Sequence, residues 1–524
     1  MTKTRSMRFR AILSAFLLLA IAVAGVWALR KATPYGLSLR NDSVQYVNGA
    51  RNLLVGDGYT RTSGGGELKP ITTVPPMFST AIAIVSLSGL EALRSARFLI
   101  LLLFGLDIIL LGYLVFRLTR SQGFALAGAL LLATSSVFLA NFAWLMSEPL
   151  FVFFWLVGFI IFDMYLDNRK PWLLILLGVL CGAAYLTRYI GITLLVTLGF
   201  CLLILKAGWK RKLFSLLYLG LPFLPFAAGW MIRNTLQIGN LANRTLLVHL
   251  ATLEKINFGI DQFWDWLLPD SLSDFYLQNQ VGFHNAFYVL FLLSLLGLGY
   301  LLAKSLKQSA SLNLPQPSAS HILPLSLYIF IYLGMTLLSM SFVDASTVLD
   351  HRLMIPVYLP LLVLLMAGLD WVFRQKGLVV QIIPVVILLV SLGFSISEGL
   401  TEVKQLSKDG LGYASQGVRL SPTIQYIKEL PPILIYTNKS YMVYIVAGRP
   451  AYLAPGPTDP VTQAPRENYQ QDLEDMRAAI REKKAILIFF KESGYATDSW
   501  FLELTRGLEP IEEFYDGVVY RAPQ

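Results

Sequence analysis

Charge is what this chain has least of. Only 15% of its 524 residues are charged, against about 25% in an ordinary soluble domain, which excludes a single soluble globular fold. The two cysteines, Cys181 and Cys201, both lie inside apolar runs; that excludes a disulfide framework or thiolate metal site and leaves them as small core residues. Four histidines are too few for a His-rich centre. No H-E-x-x-H, Walker loop or G-x-S-x-G in a strand–turn–helix setting occurs, so zinc-protease, P-loop and serine-hydrolase chemistry have no sequence support. There is no internal repeat of the kind that mirrors the halves of many carriers.

What is present is hydrophobic length: the chain is 55% hydrophobic with a mean hydropathy of +0.58. Residues 11–29 follow four basic residues and form a 19-residue apolar run, longer than a cleavable signal core, which reads as a retained signal anchor. Further spans are expected near 95–116, 123–141, 149–166, 171–187, 190–206, 213–232, 284–303, 322–341, 353–373 and 378–398, about eleven in all. The net charge of +10 is topological. Basic stretches at 3–10, 117–120, 169–170, 206–212, 304–307 and 374–376 fall at alternate ends of successive runs, as the positive-inside rule expects of cytoplasmic loops. The expected protein is an integral plasma (inner) membrane protein with a cytoplasmic N-terminus and an extracytoplasmic C-terminus.

The fold class is therefore an α-helical polytopic membrane protein with a small C-terminal α/β domain. The expected organisation is a multi-span domain over 1–398, with outer loops 30–94 and 233–283, followed by an extracytoplasmic domain over 399–524. In that tail Ile433 to Thr437 and Ala485 to Phe490 read as strands, 468–484 as a polar amphipathic helix, and Asn438 as a helix cap.

Residues fit for chemistry gather on one side. Asp42 opens a helical pattern in which Val44, Val47, Ala50 and Leu54 recur at helical spacing and Gly56-Asp57-Gly58 ends the run. This predicts an interfacial amphipathic helix. Asp42 reads as an N-cap, or as a general base for a hydroxyl proton; both are open. Thr73 to Leu87 is apolar but too short to span. Glu148, in Ser147-Glu148-Pro149, starts the fourth span on the same side; it favours a helix N-terminus or serves a site, since a carboxylate near lipid is costly without a partner. Arg188, followed by Tyr189, and Arg352, in Asp350-His351-Arg352, lie at outer span ends. They read as snorkelling side chains or as a charge-assisted phosphate pocket. Asp107, mid-span, is expected to make a buried polar contact. Carboxylate coordination of Mg²⁺ or Mn²⁺ is open.

The pattern resembles the GT-C class of polytopic glycosyltransferases, within it the protein mannosyltransferase, aminoarabinose transferase and RgtA-like family. The likeness covers about residues 10–375 in layout. It rests on Asn41-Asp42-Ser43, Pro75-Pro76-Met77, Ser147-Glu148-Pro149, Leu186-Thr187-Arg188 and Arg352 to Pro356, with Gly412-Tyr413-Ala414 ahead of the tail domain. The chain departs from many relatives where Ser43 follows Asp42 instead of a second acid, and where Val74 precedes the proline pair instead of lysine, with Lys69 upstream. The resemblance implies transfer of a sugar, hexosyl or pentosyl, from a polyprenyl-phosphate donor to a hydroxyl of a protein, glycan or lipid acceptor, by inverting displacement. Asp42 and Glu148 are then the catalytic carboxylates, Arg188, Arg352 and His351 the donor-phosphate ligands, and Asp350 and Tyr189 their support. The competing expectations are a lipid-linked glycan flippase or transporter, for which Asp107 speaks, and a non-catalytic glycan-binding protein.

Overall fold

The computed structural model describes residues 2–205, 207–240, 248–307, 319–459 and 464–523. The end of the expected 190–206 span and part of the 233–283 loop lie outside them. Helices α1 (Thr2–Ala32), α2 (Asn41–Val55), α3 (Met77–Ser86), α4 (Ala92–Thr119), α5 (Gln122–Thr134), α6 (Ser136–Phe142), α7 (Glu148–Asn168) and α8 (Pro171–Thr187) come first. They are followed by α9 (Ile192–Ile204), α10 (Trp209–Ile238), α11 (Leu253–Leu267), α12 (Ser273–Gln278), α13 (Gln280–Lys307), α14 (Ala319–Phe342), α15 (His351–Phe373) and α16 (Leu378–Asp409). A hairpin of β1 (Thr60–Thr62) and β2 (Leu68–Pro70) folds between α2 and α3.

Among the described residues eight helices are long and apolar enough to cross a membrane: α1, α4, α7, α10, α13, α14, α15 and α16. The expected continuous span at 123–141 is instead broken. α5 and α6 meet at 56° because Ser135 turns extended (φ −61°, ψ 124°); counted as one span, the pair makes nine. α16 packs on the break, where a Cβ at Gly399 would lie 2.0 Å from the Thr134 carbonyl oxygen, and Thr134 and Ser395 hydroxyls bond at 2.8 Å. α8 and α9 are apolar but shorter than a full span. The short segment 77–86 forms α3, as its length required.

Burial ranks the spans. In α7 and α15, 72% of the apolar window is buried, against 17% in α1 and 6% in α13 and α16. The two most enclosed helices thus carry Glu148 and Arg352 in their first turns, which ties those side chains to the rigid centre of the bundle. α8 is fixed against α10 through Gly178 and Gly182, whose Cβ positions would fall 2.3 Å from Leu219 O and 2.5 Å from the Phe226 ring. Such small-xxx-small spacing lets backbones approach closely, and it sets where α8 delivers Arg188.

α16 runs to Asp409, past the expected domain limit at 398, because 398–409 keep helix-forming residues after the apolar run has ended. Beyond it come α17 (Gln416–Arg419), α18 (Pro422–Glu429), β3 (Leu434–Thr437), α19 (Ser440–Met442), β4 (Tyr452–Leu453), α20 (Tyr469–Arg481), β5 (Ala485–Phe490), α21 (Ser499–Thr505), β6 (Glu509–Glu513) and β7 (Gly517–Arg521). The five strands order as β4-β3-β5-β7-β6, with β3 parallel to β4 and β5, and β7 antiparallel to β5 and β6. β5 is buried along its whole length, as a central strand covered on both faces should be. Asn438 does not cap a helix. Its amide donates to Phe490 O and its Oδ1 accepts from Phe490 N, both at 2.9 Å, so it fastens the end of β3 to the end of β5.

Candidate active site

Two segments far apart in sequence are laid side by side just before α2 and α7. Ser38 N–H donates to Ala143 O at 2.8 Å and Leu145 N–H to Ser38 O at 2.9 Å, while the Arg40 guanidinium lies 4.0 Å over the Trp144 ring. This bridge sends Asp42 and Glu148 into one pocket. Tyr46 Oη donates to Ser147 Oγ at 3.1 Å and Ser43 Oγ reaches Met146 Sδ at 3.6 Å, so α2 rests directly on the start of α7. From the other side Tyr413 N–H donates to Leu39 O at 3.0 Å, and Tyr413 Oη donates to Asn41 Oδ1 at 2.5 Å.

Capping at α2 falls to Ser43, not Asp42: Arg40 is the N-cap residue and its N–H donates to Ser43 Oγ at 3.0 Å. The Asp42 carboxylate is left for the pocket, 3.6 Å from Arg352 Nη1. Ser43 is thus a structural hydroxyl.

Glu148 is 2% exposed. It pairs tightly with Arg188, and its Oε1 lies 3.5 Å from Arg352 Nε. Arg352 Nε also lies 3.9 Å from Asp350, whose carboxylate caps α15 by accepting from Leu353 N–H at 3.0 Å. The pocket encloses 200 Å³ and is lined by Asp42, Tyr46, Glu148, Arg188, Tyr189 and Arg352, among others. Burial alone pulls the Arg188 guanidinium down, but the Glu148 carboxylate beside it holds it above the ordinary arginine value. Burial pushes the Tyr46 hydroxyl up, helped by Asp42 and Glu148. Arg40 is lowered by burial and by the like charge of Arg352.

One expected residue stands elsewhere. His351 turns away from the pocket: its Nε2 meets Asp265 Oδ2 at 2.8 Å and its Nδ1 the Tyr358 hydroxyl at 3.2 Å, joining α15 to α11. It starts α15 one residue before Arg352, and successive residues on a helix point about 100° apart, so both cannot face the same cleft. Tyr189 borders the pocket, but its Oη donates to Thr72 O at 3.2 Å and accepts from Trp230 Nε1 at 2.9 Å, tying α10 to the loop before α3. Asp107 is fully buried in α4 and, against expectation, neither of its oxygens has a hydrogen-bond partner; the neighbouring turns meet apolar side chains, Val26 at Gly105 and Ile108 at Gly25.

Tyr46 is a site residue that motif reading passed over, as is Arg40, which acts on the pocket through its charge. Tyr46 had a signal, since it follows Asp42 at the i+4 spacing that shares a helix face. Among the described residues no three His, Cys, Asp or Glu side chains form a ligand set, and Asp42 and Glu148 already face arginines.

Residues 78–229 match the family model described as dolichyl-phosphate-mannose-protein mannosyltransferase, a segment holding Glu148 and Arg188. No curated protein sequence matches the chain. Among solved structures, ArnT from Cupriavidus metallidurans bound to undecaprenyl phosphate superposes with a TM-score of 0.56 at 14% identity, over 97% of this chain and 99% of that one. The Archaeoglobus fulgidus oligosaccharyltransferase AglB, in complex with an inhibitory peptide and a dolichol-phosphate, gives 0.53 at 12% identity, over 97% and 74%. The mycobacterial arabinofuranosyltransferase AftD gives 0.54 at 13%, over 97% and 41%. At these identities the likeness is one of fold: the protein is an integral multi-pass membrane protein with the ArnT-like GT-C fold.

Proposed function

We propose that the chain is a glycosyltransferase that moves a sugar from a polyprenyl-phosphate donor to an acceptor hydroxyl, at the end of the bundle where α2 lies. The observation that carries the proposal is the convergence of Asp42 and Glu148, from separate elements, on Arg352. Asp42 is the general base. It takes the proton of the acceptor hydroxyl as that oxygen attacks the anomeric carbon; the bond from that carbon to the phosphate oxygen breaks, and its electron pair leaves with the lipid phosphate. A single displacement inverts the anomeric centre. Charge builds on the departing phosphate, where Arg352, held by three carboxylates at 3.5 to 3.9 Å and by none at hydrogen-bond distance, is free to turn toward it. Glu148 is the positioning carboxylate that orders Arg188 and Arg352. The lipid phosphates bound by ArnT and AglB support the donor class, and the family match over 78–229 supports transfer chemistry.

The test is purified protein in detergent with labelled polyprenyl-phosphate sugars. Asp42→Asn keeps the shape and leaves the Ser43 cap intact, so folding should survive while turnover falls by on the order of 10²–10⁴-fold. Near-normal turnover by a well-folded Asp42→Asn protein removes Asp42 as the base.

A further inference from the structure

On the same end of the bundle, behind the bridge formed by Ser38 and Trp144, lie two adjoining cavities of 610 and 470 Å³ that share Pro34 and Arg97. The larger is lined by Arg94, Arg97, Arg419 and Lys428, the smaller by Arg30, Lys31 and Arg97, and no carboxylate lines either. Among the described residues none of these six cations is ion-paired. Arg97 donates to Thr33 O at 2.6 Å, but its Nε is buried without a partner. Arg419 is anchored by the Tyr35 carbonyl and ring, neither of which neutralises its charge. The acid nearest Arg94 and Arg97 along the chain, Glu91, is taken by Arg51 at 2.6 Å, and Glu429, next to Lys428, lines neither cavity. Six like charges around one basin repel each other within a Debye length, so the basin is built for anions. A phosphodiester in a lipid headgroup carries a single negative charge, so six cations match a headgroup with more than one phosphate.

Two features make the occupant a lipid and not a soluble anion. The basin walls mix cations with Leu37, Leu93, Leu145, Ile445 and Val446, suited to the junction of a headgroup and its apolar chains. The smaller cavity opens at Trp27, the last of an exposed apolar stripe along α1 formed by Phe9, Ile12, Phe16, Leu19, Val23 and Trp27. Their steps of three and four residues make one continuous helix face, an acyl-chain track that ends at an interfacial tryptophan with Arg30 and Lys31 one turn beyond. Basic pockets beside membrane helices are suited to phosphate headgroups.

We propose that this basin binds the phosphate-bearing headgroup of a leaflet lipid and thereby clamps the C-terminal unit to the membrane bundle. The clamp follows from where the charges sit: Arg419 and Lys428 come from the segment after α16, the other four from α1 and α4. The site is separate from the pocket of Asp42 and does not rest on the glycosyltransferase reading.

The test uses the full-length protein in neutral detergent, titrated with cardiolipin, phosphatidylglycerol or phosphatidylcholine. Retained lipid is read by native mass spectrometry and stability by thermal unfolding. Wild type should retain cardiolipin in preference to phosphatidylcholine and gain thermal stability from it. The triple variant Arg94→Gln, Arg419→Gln, Lys428→Gln should bind cardiolipin roughly 100-fold more weakly, about fivefold per charge, and lose the thermal gain. Equal retention of phosphatidylcholine, unchanged cardiolipin affinity in the folded variant, or displacement of cardiolipin by inorganic pyrophosphate at matching concentration overturns the proposal. Should the triple variant not fold, the wild-type preference and the fivefold loss expected of Lys428→Gln alone decide it.

Discussion

Replacing Glu148 by glutamine tests whether the pocket is a charge lattice awaiting an anion. Glutamine keeps the shape and one acceptor oxygen but removes the charge that Arg188 and Arg352 share. With Arg352 Nε at 3.5 Å, the lost attraction is roughly 5 kcal/mol at an effective dielectric near 20, reduced by the water that reaches Arg352. Breaking a buried pair on one side costs about 3–5 kcal/mol, so Glu148→Gln should unfold at a clearly lower temperature than wild type. A lipid phosphate arriving in the pocket restores the missing negative charge. In wild type it must share the arginines with Glu148; in the variant it has them alone. Polyprenyl phosphate should therefore stabilise Glu148→Gln more than wild type, and saturation at about 100 times Kd returns about 2.7 kcal/mol. Turnover should still fall, because the arginines lose the carboxylate that orients them. The assay is thermal unfolding in detergent across a polyprenyl-phosphate series. A variant as stable as wild type, or one with an equal or smaller lipid-induced shift, refutes the charge-lattice argument.

Long-range pairing and local geometry divide what the chain's letters disclose from what they hide. The apolar runs, the amphipathic α2, the short α3, and β3, α20 and β5 were readable because hydrophobic period and length are local quantities. The α5–α6 break was not: Thr134, Ser135 and Ser136 sit in an apolar run without proline or glycine among them, and the close approach of α16 to Thr134 through Gly399 is a long-range contact. The overrun of α16 was hidden because composition marks where lipid ends, while helical propensity continues. In the pocket the residue types of Asp42, Glu148, Arg188 and Arg352 were legible as charges out of place at a membrane. Their meeting depends on the pairing of Ser38 with Leu145 and Ala143, for which no local signal exists. His351 neighbours Arg352 in sequence but faces Asp265 and Tyr358, because successive residues on a helix point about 100° apart.

Cysteine placed at Ser415 should react with a membrane-impermeant thiol reagent in intact cells, while one at Ser121 should not; the reverse pattern overturns the expected orientation. Asp261, in the middle of α11, accepts hydrogen bonds from Tyr276, from Gln280 at 3.0 Å and from His284 at 2.7 Å. Burial alone raises its carboxyl, but these partners hold it below the usual carboxylate range. A depressed folded value means the unfolded chain binds more protons there, so this stabilisation is full above about pH 4–5 and fades as pH falls further. Asp261→Asn should therefore be less stable than wild type at pH 7, and the gap should close below about pH 3; a pH-independent gap refutes the assignment. Arg188→Lys and Arg352→Lys separate two roles that charge alone does not. Arg188 is locked to Glu148 by a short contact and is 13% exposed in its side chain, whereas Arg352 is 27% exposed and holds no carboxylate closer than 3.5 Å. Lysine offers a point charge without the planar fork. At Arg188 it should chiefly lower thermal stability, by breaking the geometry with Glu148. At Arg352 it should chiefly raise the KM for the polyprenyl-phosphate donor, by roughly 10–150-fold if a charged contact of about 1.5–3 kcal/mol is lost, with little change in unfolding temperature. Equal effects of the two substitutions on stability and on donor KM would mean that the arginines act as one unit, and that the looser geometry of Arg352 does not mark it as the side chain that meets the phosphate.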